Sequence, residues 1–173
     1  MIGSLLEFLP LTMFLVVMRN LPSSYEDYWL FTYGISAIAA ILCIGFKLTR
    51  REFQNKILLG INCYVISGAI AITANQLWLL QFYSSLQSAA MLLWIMGTGC
   101  CALLFSNWFP DTLRHAKHLR LYEALMSLLT IGAFVLAFSY PNDRLLSETI
   151  PFSSLFIAYY MLTSRLAPAQ ASK

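Results

Sequence analysis

Charge is scarce in this sequence. Asp, Glu, Lys and Arg make up 11% of its 173 residues, against about 25% in an ordinary soluble domain. Polar connections are scarce too, none between apolar runs exceeding about 15 residues. These shortages exclude a soluble enzyme, a secreted disulfide scaffold, a disordered tail and a separate globular catalytic domain. Cysteine is limited to Cys43, Cys63, Cys100 and Cys101, all inside apolar runs and without metal or redox spacing. They read as small, polarizable packing residues kept reduced. There is no basic face with interleaved aromatics, only two short basic loops, which excludes a nucleic-acid partner. Ser-His-Asp sets, glycine-rich phosphate loops and H-E-x-x-H are missing. Every lysine is expected in a loop or tail, which excludes a Schiff-base photoreceptor. No catalytic residue and no cofactor is implied.

Apolar sequence is what the chain has in excess. Its hydrophobic share is 59%, and at roughly 20 residues per membrane-spanning helix this suffices for about five or six spans. The pattern predicts an all-α, polytopic integral membrane bundle of six transmembrane helices in one domain. The spans run over Ile2–Met18, Tyr28–Phe46, Ile57–Ala74, Tyr83–Phe105, Leu121–Tyr140 and Thr149–Ser164. The first run has no basic flank and no small-x-small cleavage site, so it is expected to be retained as an anchor. No internal repeat is visible.

Orientation follows from the basic residues. Lys47, Arg50, Arg51, Lys56, Arg114, Lys117, Arg120, Arg165 and Lys173 fall on one side of a six-span chain, and only Arg19 and Arg144 on the other. That division predicts both termini in the cytoplasm. Tyr28, Trp29, Trp78, Trp108 and Tyr140 lie near the expected interfaces, where amphipathic rings are favoured. Membrane lipids are therefore expected partners, with Arg50, Arg51, Trp108, Arg114, Lys117 and Arg120 contacting headgroups. Residues 106–120 read as a basic amphipathic helix on the membrane surface. That reading is preferred over a metal site at Asp111, His115 and His118, whose cationic neighbours would repel a cation, and no metal is expected.

Few residues in the apolar runs carry chemistry. Glu7 lies about 8 Å into the first run by helix rise, one turn before Pro10, which is expected to kink the helix. The acid either reaches the headgroups or turns inward to an amide or a cation. Asn62, Asn75, Gln76 and Trp78 complete a candidate ligand-binding set with Glu7. Ser36 with Ala40, Ser67 with Ala71, and Gly97 with Cys101 have the small-residue spacing of close helix contacts.

The opening Leu6-Glu7-Phe8-Leu9-Pro10-Leu11, followed by Phe14 and Arg19, resembles the start of the intracellular septation protein A family of small bacterial inner-membrane proteins. The likeness covers about 15 residues and, coarsely, the hydropathy layout. The uncharged NQLWLLQFYSSLQ stands where that family has a charged segment with Trp and Lys, and LLSETI stands where it has a Phe-Lys step. The resemblance implies a non-enzymatic protein that supports envelope maintenance or division by contact with other integral membrane proteins. The alternative is a small-solute or lipid transporter, or the membrane subunit of a larger carrier, with a polar pocket inside the bundle.

Overall fold

Long uncharged runs of Ile, Leu, Ala and Phe satisfy their backbone groups internally, and here they do so as helices. The computed structural model describes residues 7–20, 28–50, 55–104 and 119–166, which contain helix and no strand. In chain order the elements are α1 (Leu9–Asn20), α2 (Tyr28–Thr49), α3 (Lys56–Thr73), α4 (Leu77–Leu86), α5 (Ser88–Leu104), α6 (Leu119–Ser139), a π-turn (Leu145–Thr149) and α7 (Ile150–Leu166). Among the described residues, three stretches are long and apolar enough to cross a membrane: Tyr28–Thr49, Lys56–Thr73 and Leu145–Leu162. A fourth is added if Trp78–Leu86 and Ser88–Cys101, bent by 102°, form one broken span.

The helix ends have local causes. Pro10 falls in the first turn of α1, where its missing N–H is no loss. Asn55 caps α3, its Oδ1 accepting from the Ile57 N–H at 2.9 Å. At the other end of α3, Gln76 N–H reaches the Ala71 carbonyl and Asn75 N–H the Ile72 carbonyl, with Asn75 at φ 52°. That is a Schellman cap with Asn in the left-handed position. Asp143 Oδ1 accepts from the N–H groups of Leu145 and Leu146. Pro151 has no N–H to give the carbonyl four residues back, and the wider π-turn lies immediately before it.

Burial in α2 is reversed relative to a soluble helix. Its inner stripe includes Thr32, Ser36, Cys43 and Lys47, while Ile38 and Leu42 are 61% and 68% exposed. Thr32 and Ser36 turn their hydroxyls onto the carbonyls of Tyr28 and Thr32, so the stripe packs as small side chains. An apolar outer face over a partly polar inner one suits a helix solvated by lipid. The chain has the make-up of a membrane protein.

Two apolar clusters hold the helices together. One joins Ile57, Leu58 and Ile61 of α3 to Leu92 and Ile95 of α5, Ala133 and Ala137 of α6, and Leu155 of α7. The other joins Phe14 of α1, Tyr33 and Ala37 of α2, Tyr64 and Val65 of α3, Tyr83 of α4 and Ala90 of α5. Helix α3 belongs to both. It approaches its neighbours closely at two glycines: a Cβ on Gly60 would stand 2.6 Å from Ile95 Cα, and one on Gly68 would overlap the Tyr33 ring. Phe8 and Phe156, with ring centroids 5.9 Å apart, bring the start of the chain against α7.

The expected span over Tyr83–Phe105 is divided in the structure. The chain turns at Gln87 (φ 50°, ψ −126°), so residues 83–86 belong to the separate helix α4, which also absorbs most of the expected connection at Asn75–Gln81. Lys47, expected in a loop, lies in the last turn of α2.

Candidate functional site

Glu7 turns inward. Its Oε1 lies 2.6 Å from Lys47 Nζ, and both side chains are only 8% exposed. Its Oε2 accepts a long bond, 3.4 Å, from the Asn55 N–H. The placement is electrostatically consistent with the helices: the carboxylate sits at the N-terminal end of α3, and the ammonium in the C-terminal turn of α2. Cys43, one turn before Lys47, and Tyr159 of α7 are both within electrostatic reach of the carboxylate. The segment leading into α1 therefore meets α2, α3 and α7 around one buried charge pair.

Toward the opposite end of α2 a second polar group is assembled from aromatics. The Tyr33 and Tyr64 hydroxyls are 2.7 Å apart. Trp94 Nε1–H donates to the Tyr83 hydroxyl at 2.8 Å, which lies 2.6 Å from Ser67 Oγ. Ser67 spends its own proton on the Tyr64 carbonyl, so the direction is fixed: Trp94 to Tyr83, Tyr83 to Ser67, Ser67 to backbone. The rings support one another, with centroids 5.0 Å apart for Tyr64–Tyr83 and 5.3 Å for Phe14–Tyr33. Tyr33 and Lys47 are fourteen residues apart on α2, about 21 Å along the axis.

Between these ends lies Asn62, 1% exposed, whose Nδ2 has no hydrogen-bond partner among the described residues. One turn away on α3, Leu58 belongs to one apolar cluster and Val65 to the other. Asn62 thus sits at the seam of the two cores, carrying a donor whose desolvation costs about 1–3 kcal/mol.

The candidate set from the sequence does not converge. Glu7 and Asn62 are interior. Asn75, Gln76 and Trp78 are exposed at the α3–α4 turn, where Asn75 caps α3 and Gln76 Oε1 accepts from Trp78 Nε1–H at 2.8 Å. Arg50 is exposed, its guanidinium 4.3 Å from the centre of the Phe46 ring. Arg120 falls in the first turn of α6. Arg51, Trp108, Arg114 and Lys117, with Asp111, His115 and His118, lie outside the described residues. Among the described residues no group of three or more His, Cys, Asp or Glu is placed to hold a metal ion. Lys47 and the Tyr33–Tyr64–Tyr83–Trp94 group are absent from the sequence-derived set. The one sequence signal for Lys47 is spacing on α2, where Tyr28, Thr32, Ser36, Ala40, Cys43 and Lys47 recur every three or four residues.

No family model, no curated protein and no solved structure matches the chain.

Proposed function

We propose that the chain is a six-span protein of the bacterial inner membrane, with both termini cytoplasmic, that moves a small polar solute through its bundle, alone or as the membrane subunit of a larger carrier. The observation that carries this reading is the Glu7–Lys47 pair, at 2.6 Å with each side chain 8% exposed. A buried ion pair is poor evidence for stability, because well-packed apolar residues of similar volume serve as well or better. Ionisable groups inside membrane bundles instead tend to mark ion and solute paths. An interaction-only protein needs few polar groups in its interior, and Glu7, Lys47, Asn62 and the tyrosine hydroxyls count against that reading. The nine-to-two division of basic residues supports the orientation.

Proteoliposomes loaded with a pH-sensitive dye and challenged with amino acids, amines, organic cations and sugars test the reading. At least one class should produce a protein-dependent flux. Glu7→Gln combined with Lys47→Met, which removes both charges and strands neither, should abolish it while leaving the melting transition within a few degrees. No difference between loaded and protein-free vesicles across all classes, whether read by pH or by uptake of labelled solute, would remove the transport reading.

The second reading, contact with other membrane proteins in envelope maintenance or division, is favoured by α5. Gly97 and Cys101 face outward there as a small-residue pair, open to close approach by another helix. Gly97→Leu should weaken co-purification of a partner under this reading and leave solute flux unchanged.

A further inference from the structure

Helix α4 (Leu77–Leu86) is set apart from the other helices by its direction, its ends and its lack of charge. It leaves the line of α5 by 102°. The two non-glycine residues with positive φ among the described residues, Asn75 and Gln87, stand at its two ends. No charged side chain lies anywhere between Lys56 and Asp111, so α4 contributes no ion pair of its own. Its outward side chains include Trp78 and Phe82, 65% and 42% exposed. What ties it inward is Tyr83, 5% exposed, whose hydroxyl is bonded to Ser67 of α3 and Trp94 of α5. Tyr83 also packs its ring against Tyr64, with centroids 5.0 Å apart and planes tilted by 45°.

We propose that α4 is a hinged lid over the aromatic compartment, turning at Asn75 and Gln87 and latched by the Tyr83 hydroxyl. The latch is chemically economical. Both of its bonds use partners that remain satisfiable when it opens: Ser67 keeps its bond to the Tyr64 carbonyl, and the indole N–H of Trp94 can turn to water or solute. Lifting α4 uncovers the Tyr64 ring, Ser67, Trp94 and Ala90 together, a surface of aromatic faces and hydroxyls with no net charge. The two hinges store modest strain, since left-handed φ is unfavourable for side chains other than glycine and, less so, asparagine. Gln87 is the more strained of the two, and Asn75 is held by the Schellman cap of α3.

This inference deepens the transport reading by assigning one gate, yet its test reads the motion whether or not a solute is carried. A chain with Cys43, Cys63, Cys100 and Cys101 replaced by alanine receives one reporter, Ala90→Cys, a fully buried position beneath the lid. It is placed in lipid nanodiscs, where both faces are accessible, and treated with a water-soluble maleimide. Tyr83→Phe keeps the ring and removes both latch bonds, each worth about fivefold, so labelling should accelerate about thirtyfold. Trp94→Phe removes one bond and should give a smaller acceleration, about fivefold; it serves as the reading if Tyr83→Phe does not fold. A control reporter in the other core, Ala137→Cys, 1% exposed, should be unaffected. Acceleration at Ala90→Cys alone is the expected result. Unchanged labelling at Ala90→Cys, or equal acceleration at both reporters, overturns the lid.

Discussion

At the scale of single residues the interior is defined by what its polar groups are tied to. Lys47 and Glu7 neutralise each other between the ends of two helix dipoles, so losing one partner is far worse than losing both. Lys47→Met should lower the unfolding free energy by about 3–5 kcal/mol, because it strands a buried carboxylate. Adding Glu7→Gln to it should recover most of that loss. Reversible unfolding in mixed micelles, followed by circular dichroism, checks both; a double variant no better than the single one would count against the pairing. Asn62 is the opposite case, a buried donor without a described partner. Asn62→Leu, similar in volume and needing no bond, should raise stability by about 1 kcal/mol. A loss of stability instead would mean that the amide holds a group of its own in the membrane. None of this was legible from composition. Lys47 lies at the border of an apolar run and a basic loop, and only the continuation of α2 to Thr49 brings it inside. The acid was legible, because a carboxylate in an apolar run is costly anywhere except against a partner or the headgroups.

At the scale of elements, α2 and α3 were readable nearly to their ends, since an apolar run bounded by Lys47–Lys56 admits little else. The break at Gln87 was not readable. No Gly or Pro marks it, both sides are equally apolar, and the bend is carried by a residue type with no preference for positive φ. The tyrosine group was hidden for a related reason. Aromatic side chains in apolar runs read as core or interface, and only tertiary packing brings their hydroxyls together. Helix contact in this bundle depends on glycines at two positions. Gly68→Ala drives a methyl into the Tyr33 ring, which is itself hydrogen-bonded to Tyr64 and backed by Phe14. The expected cost is about 1–3 kcal/mol. Gly34→Ala, with no described atom within 4 Å, should be neutral or stabilise by up to about 1 kcal/mol through helix propensity. The contrast between the two in one denaturation series isolates packing from propensity.

At the scale of the whole molecule, two polar groups of different chemistry stand about 21 Å apart along α2, one an ion pair and the other a hydroxyl–indole chain. Between them lie apolar side chains, the Ser36 hydroxyl tied to its own helix, the Cys43 thiol and the orphan Asn62 amide. Under the proposed transport function the two would be reached from opposite sides of a bilayer, and the basic residues predict which side is which. The proposed orientation puts the ion pair, with Lys47, Arg50 and Lys56 near it in sequence, at the cytoplasmic face. It puts helix α4 at the outer face. The measurement that tests this most directly is sided labelling of single cysteines, placed at Ser4, Gln81 and Ser172 in the cysteine-free chain. Intact spheroplasts are treated with a membrane-impermeant maleimide, and lysed ones serve as the reference. Labelling of Gln81→Cys in intact cells, with Ser4→Cys and Ser172→Cys labelled only after lysis, is the predicted result. Labelling of either terminal site from outside, or protection of Gln81→Cys until lysis, would contradict it.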